Sequence, residues 1–207
     1  MGNEENKFLA LYLILFQSAA ETTGMVNRLP WFEREFPTGL PAHLLPVIVE
    51  RLRGTPTRLA DRLAGVPEEV LIRRGGSSWS IQENVGHLLD LEPLWKQRVG
   101  DLAQKRGELT VADLTNRRTH EANHNAVALE GLLTAFRTAR GALVRELVTF
   151  PEDGLSFTAV HPRLKVAMNV TDLAYFVAEH DDYHLAKISE LLGQAAMPEE
   201  KPERTIR

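Results

Sequence analysis

The chain has 207 residues, 43% of them hydrophobic and 25% charged, with a formal net charge of −4 at pH 7. That suits one domain with a real core, and it gives no basic footprint for a nucleic-acid partner. There is no cysteine, which excludes disulfides, a cysteine nucleophile and thiolate ligands, and leaves His, Asp and Glu as the side chains able to hold a metal; the absence fits a reducing cytoplasm, the expected location.

In chain order, the first feature is the apolar run Phe8 to Phe16, FLALYLILF. Nine residues are too few for a bilayer, which needs about 20, so no membrane partner is expected. A secretory signal would carry a positive leader, whereas Gly2 to Lys7 holds two acids and one base; Ser18-Ala19-Ala20 resembles a cleavage site only faintly. Residues 1–24 are therefore expected to be an N-terminal extension, with the apolar run either a buried or docking helix or part of an upstream stretch preceding a start at Met25.

Prolines punctuate Leu29 to Pro41, which reads as loop and short turn. Residues 43–64 have helical spacing, with Leu45, Ile48, Leu52, Leu59 and Leu63 near one face. Gly54-Thr55-Pro56 interrupts them: either the helix kinks, or Thr55 caps a second segment with Pro56 at its first position. The next helix starts clearly, because Ser80-Ile81-Gln82-Glu83 matches a capping box, and apolar positions from Val85 to Leu102 carry it to about Lys105. A polar connection from Gly107 to about Asn125 is long enough for a crossover.

A third helix is expected over about Ala126 to Phe150, with Leu129, Leu132, Leu133, Phe136, Leu143 and Leu147 as its stripe. Pro151 to Ala167 forms a second long connection. The last helix runs from Asn169 or Thr171 to Leu192 and ends at Gly193, a favoured residue just past a helix end. Residues 196–207 form a charged, flexible tail. No stretch alternates long enough for a strand, so the fold class is all-α.

The last helix carries His180 and His184. An i,i+4 pair stacks on one helix face and can hold one divalent ion. Leu173, Phe176, Val177, Ile188, Leu191 and Leu192 place an apolar stripe beside the pair, so both rings are expected to face the interior, where an unpaired imidazole is costly. His87 opens the second helix. Three histidines from two helices, with a coordination position left open, describe a catalytic rather than a structural metal site; the bland reading is a hydrogen-bonded core pair.

In this order the motifs resemble the DinB-like superfamily. Trp79-Ser80-Ile81-Gln82-Glu83-Asn84-Val85-Gly86-His87-Leu88 is similar to its Trp-Ser-x-x-Glu-x-x-x-His-Leu signature, and His180-Asp181-Asp182-Tyr183-His184-Leu185-Ala186-Lys187-Ile188 to its His-x-x-x-His-x-x-x-Ile helix. The resemblance covers roughly residues 25–193. It implies a four-helix bundle with up-down-down-up connection over residues 25–195, a divalent metal such as Zn, Ni or Fe on His87, His180 and His184, and often a homodimer. Members of that superfamily include transferases that use bacillithiol and an isomerase that uses mycothiol, so a low-molecular-weight thiol and a small-molecule substrate are expected, in a metal-dependent S-transferase. A metal-dependent hydrolase and a non-enzymatic, stress-related metal-binding protein are the alternatives.

Around the ligands, Asp90 lies three positions from His87 and is expected to orient a ligand ring. Asp181 and Asp182 point off the His180 face and are read as a solvated charged face, and Glu83 as a capping residue. His120 and His124, a second i,i+4 pair in a polar stretch, are read as loop surface or a helix-start cap. His161, before Pro162, is read as part of a structural turn, His43 has no functional reading, and Trp79 and Trp95 are expected in the core.

Overall fold

The computed structural model describes residues 28–196; the apolar run, Met25 and most of the charged tail lie outside them. Four long helices make the bundle: α1 (Leu45–Leu63), α3 (Ile81–Ala103), α5 (Leu129–Val148) and α6 (Val170–Ala196). Short helices α2 (Glu68–Leu71) and α4 (Arg117–Glu121) sit in the first and second connections. The connection between α5 and α6 contains a small hairpin, β1 (Ala159–Val160) paired antiparallel with β2 (Ala167–Met168), and Glu108 adds a parallel bridge to Val160; these depart from an all-helical pattern. Two-residue strands leave no alternation in the sequence to read.

Both α1 and α3 pack against α5 and α6, so α1 lies diagonally across the bundle from α3, and α5 from α6. This is the up-down-down-up arrangement, with the long connection after α3 serving as the crossover. No described helix is long and apolar enough to cross a membrane. The capping box forms as expected: the Ser80 hydroxyl accepts from the Glu83 amide at 3.1 Å, and the Glu83 carboxylate accepts from the Ser80 amide at 2.9 Å. At the start of α6, Asn169 Oδ1 accepts from the Asp172 amide at 2.9 Å, and Asp172 also accepts from Gly39 and Leu40. The helix then passes through Gly193 instead of ending there.

The reading in which Thr55 caps a second segment does not hold, for α1 continues as one helix with Pro56 inside it. Proline has no amide hydrogen, so the carbonyl of Leu52 loses its helical donor. Arg140 Nη1, from α5, donates to that carbonyl at 3.3 Å. The same guanidinium donates to Glu92 Oε1 at 2.6 and 3.0 Å and to both oxygens of Asp181, one at 3.0 Å. Thr55 Oγ1 closes the group by donating to Asp181 at 2.8 Å. Asp181 is thus 0% exposed and ion-paired, which corrects the expectation of a solvated charged face. The reason is that α6 touches both α1 and α3, so it buries more than the face that carries His180. Asp182 is nearer to expectation: half-buried, it pairs with Arg51 and Arg58 of α1.

This charged layer divides the core. One apolar cluster gathers Leu52, Trp95, Leu102, Leu143 and Leu173; the other gathers Leu59, Val85, Leu88, Phe136 and Ile188.

Candidate metal centre

His87 faces His180 and His184 across the α3–α6 contact. Their ring centroids lie 4.6 to 5.3 Å apart, and one nitrogen from each ring falls within 4.8 Å of the others. All three are buried.

The rings are held by groups that also set their tautomers. Asn84, one turn before His87, donates its amide to the Ser80 carbonyl at 2.7 Å, which turns its Oδ1 to His184 Nδ1 at 2.8 Å. His184 therefore carries its proton on Nδ1 and keeps a lone pair on Nε2. Thr119, on α4, donates to Asp90 Oδ2 at 2.9 Å, so its oxygen accepts from His87 Nδ1 at 3.1 Å. That leaves Nε2 of His87 free as well. Asp90 thus orients His87 as expected, but through a threonine from the crossover. Burial alone would raise the Asp90 pKa; hydrogen bonds from His124 and Thr119 outweigh it and keep the carboxylate ionised.

His180 differs. Its Nδ1 is buried with no hydrogen-bond partner among the described residues, and Trp31 and Trp95 meet its ring edge-on. Three neutral imidazoles with one nitrogen each within 4.8 Å of the others, two of them held through their other nitrogen and the third with a ring nitrogen unpartnered, are a donor set that a divalent cation satisfies. The residues present fit the metal that the resemblance implies.

Burial holds the rings neutral. The pKa of His87 falls to about 4, chiefly through burial, with Asp90 opposing; His180 and His184 lie well below the usual histidine value through burial and mutual repulsion. Neutral imidazoles bind a cation at pH 7 without first losing protons. In the metal-free protein an unfolded histidine takes its proton near pH 6.5 and the folded His87 near pH 4. Between those values the unfolded chain binds more protons, so stability falls as pH drops through that window, by roughly 3 kcal/mol from His87 alone. Denaturant titrations of chelator-treated protein at pH 7.5, 5.5 and 4.5 should show that decline, and a flat profile would contradict the buried neutral site.

His124 corrects the surface reading given to the second pair. It is 5% exposed, its Nε2 bonds Asp90 at 2.8 Å, and its ring lies where a Cβ on Gly86 would be, 2.2 Å from that position. Gly86 is thus a close approach, and Gln82 secures it by donating to the carbonyls of His124 and Val127. His120 is exposed and rests near Trp79, as expected of it. Glu83 is committed to its cap and to Arg74. His161 is buried in the hairpin turn, its Nδ1 accepting from the amides of Arg163 and Leu164. Trp95 is in the core as expected, whereas Trp79 is half-buried against His87.

A cleft of about 380 Å³ opens over the three histidines, lined largely by apolar side chains that include Trp31, Leu94, Trp95 and Phe176. Ligands buried on one side and a cleft on the other fit a site with an open coordination position.

The model of the DinB superfamily matches residues 51–188. The chain belongs to that superfamily. Among solved structures it is similar to YfiT from Bacillus subtilis, described as a probable metal-dependent hydrolase with an unusual four-helix bundle topology; the two share 16% identity, with a TM-score of 0.68, over 80% of this chain and 95% of that one. At that identity the likeness establishes the fold. No curated protein matches the sequence.

Asn84 and Thr119 had no functional reading in the sequence. Asn84 stands within the signature, one turn from His87, while Thr119 lies on the short helix α4 of the crossover, where the sequence carries no pattern that points to it. Replacing either Asn84 with Ala or Thr119 with Val should weaken zinc binding about 10- to 100-fold with the fold kept, as measured by competition with a chromophoric chelator and by circular dichroism. Unchanged affinity in both variants would show that the rings need no orientation.

Proposed function

We propose that this protein is a metal-dependent transferase in which a low-molecular-weight thiol is the nucleophile and a small electrophilic molecule the substrate. A divalent cation on His87, His180 and His184 would lower the pKa of a thiol brought to it from about 8.5, making a nucleophile near neutral pH. The observation that carries the reading is that the carboxylates around the site are all occupied. Glu83 serves Arg74 and the Ser80 amide, Asp90 serves Thr119, His124 and Arg118, and Asp181 serves Arg140 and Thr55. A water nucleophile commonly relies on such a carboxylate as general base, whereas a thiol ionised at neutral pH needs none. With no cysteine in the chain, the sulfur comes from a cofactor.

In this reading the chain's residues have simple tasks. Asn84 and Thr119 hold two rings in their binding tautomers, and the apolar walls keep bulk water from the electrophile. The sulfur–carbon bond forms as the bond from carbon to its leaving group breaks, and the thiol proton leaves to solvent at the cleft mouth. A reducing cytoplasm, where small thiols persist, suits this use.

The cobalt-substituted protein, titrated with bacillithiol, mycothiol and glutathione, is the test. At least one thiol should shift the ligand-field spectrum and add to an electrophile such as monobromobimane faster with protein than without, between pH 6 and 8, and the His87→Ala variant should lose both effects. Ester turnover without thiol, with no spectral response to any thiol, would replace this reading with hydrolysis.

A further inference from the structure

The cleft has a second end, and its chemistry is opposite to that of the first. Along α3, His87, Leu91, Leu94, Trp95 and Arg98 line the same cleft; from His87 to Arg98 the helix rises about 16 Å. Arg98 is only 2% exposed. Its Nε donates to the Thr110 carbonyl at 2.9 Å, and its Nη1 lies 3.0 Å from His161 Nε2. Arg163, from the turn between β1 and β2, lines the cleft beside it, stacked over Phe32 at 5.2 Å. Its Nη2 is buried with no partner. Among the described residues, neither guanidinium hydrogen-bonds a carboxylate.

Donors exceed acceptors here. His161 is neutral, its pKa pushed down to about 3 by burial and by the two arginines, so its ring carries one proton and one lone pair. Three groups nevertheless donate toward its two nitrogens: the amides of Arg163 and Leu164 at Nδ1, and Arg98 at Nε2. Whichever nitrogen bears the proton, one N–H faces another. Burial also lowers the pKa of Arg98, to about 10, against the opposing pull of the nearby Asp101 charge, and burial lowers that of Arg163; Asp101 itself is turned to Thr110 and Gln97. The one carboxylate on the cleft wall, Asp113, is exposed and already accepts from Thr115 and Arg117. One buried and one half-buried cation with surplus donors are satisfied by an oxyanion.

We infer that the Arg98–Arg163 end of the cleft binds the anionic group, carboxylate or phosphoryl, of a substrate whose apolar middle lies along Trp95 and Phe176 and whose reactive end reaches the three histidines. The inference rests on the cleft being the substrate site of the proposed reaction, and it names the substrate class: an amphipathic organic acid. The two arginines are specificity-determining; they touch the end of the substrate remote from the chemistry.

All three tryptophans of the chain line this cleft, so intrinsic fluorescence reports binding without any turnover. The probes are phenylalkyl carboxylates from phenylacetate to 8-phenyloctanoate, the matching primary amides and the matching phosphonates. Each is titrated into zinc-loaded and chelator-treated protein, the second to remove direct coordination. At least one acid or phosphonate should bind at least tenfold tighter than its amide in both forms, and which of the two binds better identifies the oxyanion. Arg163→Gln, at a half-exposed position, should abolish most of that preference while leaving amide binding unchanged; Arg98→Met should do the same if it folds. Equal binding of acid and amide, equal weakening of both by Arg163→Gln, or no binding by any acid up to 10 mM would overturn the inference. A preference for anions that appears only with zinc bound would place the anion at the histidines and overturn it too. Because the chelator-treated arm needs no metal, failure of the thiol chemistry would leave these outcomes readable.

Discussion

Replacing Arg140 with Ala should destabilise the protein by about 3–5 kcal/mol, measured as the change in unfolding free energy from urea denaturation. Arg140 is 1% exposed and lies between Glu92 and Asp181, themselves 1% and 0% exposed. Removing it leaves two carboxylates buried without a counter-charge and frees the Leu52 carbonyl, which Pro56 has already deprived of a helical donor. The cost is therefore the desolvation of groups left behind, not only the loss of one ion pair. Arg53→Ala is the matched control. Arg53 pairs with Glu50 on the exposed face of α1, and its loss should cost under about 1 kcal/mol. Similar values for the two variants would mean that the buried layer contributes nothing specific to stability.

The helices and the His180–His184 pair are legible in the sequence because they depend on spacing within one element, whereas His87, on another helix, joins them only through the resemblance to the DinB-like motifs. The i,i+4 interval puts His180 and His184 on one face, the capping box marks the start of α3, and the apolar stripes orient both helices. Residues whose role is set by another part of the chain are not legible. The burial of His124 depends on the missing Cβ of Gly86, on a different helix. Asp181 looks solvated on its own helix, and only the arrival of Arg140 from α5 and Thr55 from α1 makes it a core residue. Pro56 suggests a break until the compensating donor is known. Arg98 and Arg163 are ordinary arginines in the sequence; their meaning comes from a hairpin turn folding onto α3.

The central claim is that His87, His180 and His184 together hold one divalent ion. Three facts support it: the clustering of their nitrogens within 4.8 Å, the fixed tautomers of His87 and His184, and the orphaned Nδ1 of His180. If three ligands share a binding free energy of roughly 12 kcal/mol, losing one costs about a thousandfold in affinity, and losing two abolishes binding at micromolar metal. The direct measurement is the metal-to-protein ratio, by mass spectrometry after zinc loading and desalting, of wild type, the His180→Ala/His184→Ala double variant and His120→Ala. Wild type and His120→Ala should each hold one equivalent, and the double variant, confirmed folded by circular dichroism, close to none. Equal metal in wild type and the folded double variant would contradict the account.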